Sequence, residues 1–339
     1  MNARKSPLVF AVFVSLVPTW MACDDAACEG AGCTDASVSD SGLDGGDLDA
    51  GAGDSGGGAF APWPTRDLAT TVTFYGVWAA NAEDVWFVGD GDREVIRETM
   101  SGPQSVNLPA PAKIRGIHGF SSDDIWAAGF GGQLLHYQGS AWTVETATTV
   151  DLQAIFGFSG NDLWAVGDEG AAVHYDGQGW NSVTSSTSSR LHKVWGASPN
   201  DVWAVGENGT LIRWNGSAWS RIESSTDLNF RGIWGFAADD IWAVGASKPT
   251  DEEANVVLHF DGTNWVSLDP GTSTRLFGVW GSAPTDVWMV GDSGAILHWN
   301  GERFSDVGSR TDKKLNAVWG LGADLVWAVG KDGVVTTRP

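Results

Sequence analysis

Cysteine disappears after residue 33: Cys23, Cys28 and Cys33 are the only ones in 339 residues. The rest of the chain can hold no disulfide framework and no cysteine metal site. Basic residues are also few, 20 Lys and Arg against 42 Asp and Glu, for a net charge of −22. This balance argues against nucleic-acid binding, which needs clustered cations facing phosphates, and against docking on an anionic membrane through a basic face. Long apolar runs are missing, since Pro7 to Val17 is too short to span a bilayer. No helical periodicity recurs, and the chain has no G-x-S-x-G, phosphate loop or H-E-x-x-H. Tyrosine is scarce at 3, whereas tryptophan reaches 20 and glycine 45. So many indoles, each burying a large area, require an architectural cause.

The N-terminus reads as an address. Arg4 and Lys5 precede the apolar stretch, and Trp20-Met21-Ala22-Cys23 follows it. A small residue before a Cys at this place resembles the lipobox of bacterial lipoproteins. That resemblance implies a signal peptide over residues 1–22 and a lipidated Cys23, although Trp20 stands where the family usually has Leu. Ordinary cleavage and secretion is the alternative. Residues 23–60 are rich in Asp, Gly, Ala and Ser and contain no Lys or Arg. Such a segment cannot bury enough surface to offset chain entropy, so a flexible acidic tether is expected, with a reach on the order of 30 Å. Cys28 and Cys33 would close a small loop if they pair in an oxidising periplasm.

The remaining residues, 61–339, repeat. The second Trp of "VWG…DVWAVG" recurs as Trp86, Trp126, Trp164, Trp203, Trp242, Trp288 and Trp327, at spacings of 40, 38, 39, 39, 46 and 39. Each copy contains four short β-like runs separated by turn signals, such as Leu191–Trp195, Val202–Val205, Thr210–Trp214 and Ala218–Ile222, with Asn215-Gly216 as a hairpin turn. Seven four-stranded units of about 40 residues predict an all-β, seven-bladed β-propeller of antiparallel blades. The last copy ends after its third strand. Ala61-Pro62-Trp63-Pro64-Thr65-Arg66 reads like the fourth strand Ala218-Trp219-Ser220-Arg221, so an N-terminal strand near 62–70 is expected to complete blade seven. That closure would hide two open edges.

Residues that recur among the copies point to construction. Asp84, Asp124, Asp162, Asp201, Asp240 and Asp286 each precede the second-strand Trp by two positions, and a turn role accepting backbone N–H groups is expected. Third strands carry His136, His174, His259 and His298, but each sits at the same place in a different blade. Zinc needs its ligands about 2 Å from one point, so no metal site is expected, and no cofactor fingerprint is present.

Function is then sought where copies differ. The 4→1 and 2→3 connections share one face of a meander, and this face is irregular, with an insertion from Ala246 to Asn255. At its centre, the second residue of each first strand varies: Tyr75, Arg115, Gln153, His192, Arg231, Phe277 and Asn316. Converging on one axis, these groups would suit an acidic sugar or a carboxylate; a solvated pore lining is the other reading.

The repeats from Trp63 to Pro339 look like Trp-rich propellers of bacterial envelope lipoproteins and are loosely similar to tectonin and Asp-box propellers. The Asp-box pattern S-x-D-x-G-x-T-W is absent, which speaks against a sialidase-like activity, and no Trp-Asp dipeptide marks a typical WD40 chain. The resemblance implies a lipid-anchored or secreted module of the cell envelope. It would bind an envelope protein or glycan, or act as a scaffold, without catalysis and without contact to nucleic acid. The alternative is a glycosidase- or lyase-like enzyme with its site at the channel mouth. That needs paired carboxylates, which the seven mouth positions lack, while the loop residues Glu223, Asp227, Asp251, Glu252 and Glu253 could supply them.

Overall fold

The computed structural model describes residues 61–68, 70–91, 94–247 and 255–339. Cys23, Cys28, Cys33, the expected signal peptide and tether, and Asp251, Glu252 and Glu253 lie outside the described residues. The described chain forms seven four-stranded antiparallel sheets. Blade 4 shows the pattern: Leu191–Ser198 pairs with Asp201–Gly206, which pairs with Leu211–Trp214, which pairs with Trp219–Arg221. The other first strands are Phe74–Asn81, Ile114–Ser121, Leu152–Ser159, Asn229–Ala237, Leu276–Ala283 and Leu315–Gly322. Each first strand contacts the first strands before and after it, and the seventh contacts the first, so the ring closes.

Closure takes the expected form. Thr65–Asp67 pairs antiparallel with Val334–Thr337 as the fourth strand of blade 7. Trp63, immediately upstream, is fully buried. Its N–H donates to the Gly308 carbonyl at 3.3 Å, and its carbonyl accepts from Arg310 N–H at 2.9 Å. The segment around Trp63 is thereby bonded to the stretch between blades 6 and 7 as well as to blade 7.

Aromatic packing explains the tryptophan count. All seven second-strand tryptophans are 3% exposed or less, because blades stack against both faces of that strand. The indole of one blade meets the fourth-strand aromatic of the next edge-on: Trp86–Trp142 at 5.8 Å, Trp126–Trp180 at 5.9 Å, Trp164–Trp219 at 5.2 Å and Trp203–Trp265 at 5.6 Å. Trp63 occupies the same place against Trp288 at 5.0 Å. The N-terminal strand thus supplies a missing member of a repeated contact between blades.

The repeated aspartates do something other than the expected turn bonding. Among the described residues their carboxylates bond to the third strand. Asp124, Asp162, Asp240 and Asp286 each lie 2.8 Å from the Nε2 of His136, His174, His259 and His298. Arg97 and Arg213 take that place with Asp84 and Asp201. Each histidine ring stacks on the second-strand Trp of its own blade, as Trp126–His136 does at 3.8 Å, and the arginines sit over Trp86 and Trp203 at 4.8 Å. The four histidines are cross-strand clamps in four separate blades.

Candidate ligand site at the channel mouth

Each first strand carries the same irregularity near its start: a β-bulge between Phe74 and Gly76, Ile114 and Gly116, Leu152 and Ala154, Leu191 and Lys193, Phe230 and Gly232, Leu276 and Gly278, and Leu315 and Ala317. The extra, unpaired residue is in turn Tyr75, Arg115, Gln153, His192, Arg231, Phe277 and Asn316. A bulge re-aims its side chain. Here it turns all seven onto the axis, where they line a single cavity of about 270 Å³. The cavity also takes in Phe130 from a 2→3 turn, Asp151, Arg190 and Lys314 from the ends of 4→1 segments, and Lys193.

The seven residues are not equivalent once placed. Gln153 donates to Asp168 at 2.8 Å, and Asn316 donates to the Phe74 carbonyl at 2.8 Å, so both tie neighbouring segments together. His192 is 8% exposed and 3.7 Å from Glu207. Burial, reinforced by Arg231, Arg190 and Lys193, pushes its pKa down to about 2, so the ring is neutral. Tyr75 and Phe277 are platforms: the Arg115 guanidinium sits 3.7 Å over Tyr75 and 4.7 Å over Phe130, and Lys314 Nζ sits 3.6 Å over Phe277. The Arg115 Nε is buried with no hydrogen-bond partner among the described residues.

Charge in the cavity runs against that of the chain. Five of the protein's 20 Lys and Arg residues line it, Arg115, Arg190, Lys193, Arg231 and Lys314, against one carboxylate, Asp151. Arg190 is neutralised by a two-point contact to Asp168 at 2.6 and 2.8 Å. Among the described residues no ion pair engages Arg115, Lys193, Arg231 or Lys314. Burial lowers Lys193 to about 8, lowers Lys314 to about 8 with help from neighbouring arginines, and lowers Arg231. Desolvated cations held this close to one another gain from a bound anion. Glu223 and Asp227 do not line the cavity, and Asp168, the carboxylate beside it, is taken up by Gln153 and Arg190.

Lys193 and Lys314 escaped the sequence reading. Lys193 was visible as an exception, since the matching residues of the other blades are Gly76, Gly116, Ala154, Gly232, Gly278 and Ala317. First strands come so close here that a Cβ on Gly116 would lie 2.8 Å from the Ala154 Cα. Only blade 4 places a long side chain at that ring, and it reaches the channel.

Beneath the mouth lies a second, smaller chamber of about 110 Å³, lined from all seven first strands. Lys193 and Asn316 border both spaces. The chamber is mostly apolar, and its floor carries Trp234, Trp280 and Trp319. Trp319 meets Trp234 edge-on at 5.7 Å and Trp280 at 6.5 Å. His118 takes the place that Trp holds in five blades; its ring lies 5.0 Å from Phe120 and from Phe156, and burial lowers it to about 4.

No family model matches the chain, and no curated protein matches it. Solved structures do resemble it. YCF48 from Cyanidioschyzon merolae superposes with a TM-score of 0.68 at 15% identity, covering 82% of this chain and 99% of that one. A structure described as YCF48 bound to D1 peptide gives 0.67 at 16% identity, covering 83% and 99%. A streptogramin B lyase gives 0.70 at 16% identity, covering 80% and 96%. At these identities the likeness establishes the seven-bladed propeller fold; the lipoprotein, tectonin and Asp-box resemblances gain nothing from it.

Proposed function

We propose that this propeller is a non-enzymatic binding module that engages an anionic group of a partner protein at its channel mouth. The observation that carries the reading is the gathering of a quarter of the chain's basic residues around one cavity in a protein of net charge −22. A cleft of one sign, walled by protein, focuses field lines and raises the local concentration of an oppositely charged ligand. A protein partner is favoured over a glycan because a propeller of the same fold, YCF48, has been solved with a peptide bound. The N-terminal motif adds a location to this reading: the module is lipidated at Cys23 and tethered to the cell envelope, or else secreted.

Two experiments test this. The full chain is screened on peptide and glycan arrays beside a variant carrying Arg115→Glu and Arg231→Glu. Acidic peptides are expected to bind wild type and to be lost from the variant. Peptide binding unchanged by charge reversal would exclude the mouth, and capture of glycans alone would replace the protein partner. Palmitate labelling of wild type and Cys23→Ser tests the anchor, and equal labelling of both would refute it.

A further inference from the structure

The mouth and the chamber below it share Lys193 and Asn316 as a common border, yet they differ in chemistry. The upper space offers cations. The lower one offers Ile117, Ile155, Val194 and Ile233 on its walls and indoles on its floor. Trp234 and Trp319 are both only partly buried, whereas every second-strand Trp is sealed in the blades. A packed core would leave no such space, and only taken together do the two, about 270 and 110 Å³, reach the lower end of the size range of pockets that take small organic ligands.

We infer that the two chambers form one composite site for a small organic anion with a flat apolar body, its anionic group held among Arg115, Lys193, Arg231 and Lys314 and its body against Trp234, Trp280 and Trp319. The inference rests on the mouth being the anion-binding face, as proposed above, and goes beyond it to a small molecule that would take the same cations as the partner's anionic group. Neither half suffices. An inorganic anion leaves the indoles uncovered, and a neutral aromatic leaves four crowded cations with no ion pair among the described residues. Of the two residues that border both parts, Lys193 is the cation, and it is the single long side chain at the ring between them.

The test is calorimetric titration of the full chain at pH 7 with 2-naphthoate, acetate and 2-naphthalenemethanol. 2-Naphthoate is expected to bind at least about tenfold more tightly than either half-molecule, the factor that one charge-assisted contact supplies. Arg231→Met and Trp234→Leu should each weaken 2-naphthoate by about tenfold or more, the first through the charge and the second through the ring face. Lys193→Met should weaken it similarly while leaving the melting temperature undiminished, which separates loss of the site from loss of the fold. Equal affinity for the acid and the alcohol, or wild-type affinity in both Arg231→Met and Trp234→Leu, would overturn the inference. If 2-naphthoate fails to bind while acidic peptides are captured through Arg115 and Arg231, the composite site falls and the partner reading stands. If 2-naphthoate binds selectively while peptide capture ignores charge reversal, the outcome is the opposite.

Discussion

Trp63 gives the sharpest test of how the ring is closed. The perturbation is deletion of residues 61–70, with Trp63→Ala as its point version. The Trp63 side chain is fully buried within a cluster containing Trp280, Trp288, Val290, Val307 and Leu315. Truncating a buried Trp to Ala costs about 3–5 kcal/mol. In a domain of this size each kcal/mol lowers the melting temperature by roughly 2 °C, so Trp63→Ala should melt about 6–10 °C below wild type. Deleting the segment should cost more. It also removes the pairing of Thr65, Arg66 and Asp67 with Thr336, Val335 and Val334, the bond from Thr336 Oγ1 to the Pro64 carbonyl at 2.9 Å and the Arg66–Glu98 ion pair. Val334–Thr337 becomes an open edge, and concentration-dependent aggregation should follow. The assay is thermal unfolding by calorimetry of the full chain, Trp63→Ala, the 61–70 deletion and a deletion of 24–58. The last is expected to melt with wild type. Equal melting temperatures for the two deletions, or a Trp63→Ala protein within 2 °C of wild type, would refute the closure argument.

Further outcomes follow from charge and burial. Lys193 and Lys314 titrate near 8 in the folded protein against 10.5 for an ordinary lysine. Between those pH values the unfolded chain binds more protons, so stability should rise with pH by at most about 1.4 kcal/mol per pH unit for each lysine; Lys193→Met should remove its share of that slope in chemical denaturation from pH 7.5 to 10. The same titrations remove positive charge from a mouth whose other charged or titratable groups are Tyr75, Arg115, Arg190, Arg231, Arg275, His192, Asp151, Asp168, Glu207 and Asp292, so affinity for an acidic ligand should fall between pH 7.5 and 9.5; a flat profile would exclude both lysines from the site. Asp286→Ala should cost about 1–3 kcal/mol, because it strips the carboxylate that holds His298 and Ser282 in a half-buried clamp. Asp176→Ala, at an exposed hairpin whose carboxylate accepts from Gln178 and Gly179 N–H, should leave the melting temperature closer to wild type than Asp286→Ala does.

The blades were legible because a propeller writes its period into the sequence. The Trp at intervals near 39 and the hairpin signal at Asn215-Gly216 each have one structural meaning at that spacing. Trp63 was legible through its likeness to Trp219, and both prove to fill the contact with the preceding blade. The role of the aspartates was not. An Asp at the head of a strand suits a turn amide or a cross-strand ring equally well, and only the fold brings Asp124 opposite His136. The position of the site was legible as variation, but its chemistry was not. Gln153 and Asn316 look like ligand groups in the sequence and turn out to be bonded to the frame. Lys193 looks like a strand residue and reaches the channel. A bulge shifts the alternation of inward and outward residues by one, and the strand pattern alone does not reveal where the shift falls.

The bulges also explain how one architecture separates stability from recognition. A second-strand residue such as Trp203 is fixed by the next blade and by its own third strand, so every copy repeats it. The extra residue of a bulge pairs with nothing in the ladder, and its side chain leaves the blade for the axis. Seven such positions meet at one point, each free to differ, while the glycines and alanines that follow them hold the strands close enough to keep the ring narrow. Where one of those small residues became Lys193, the ring kept its geometry and the channel gained a cation between its polar and aromatic halves. Function in this molecule therefore lies in the departures from the repeat, and the bulge is the device that keeps those departures from disturbing the blades.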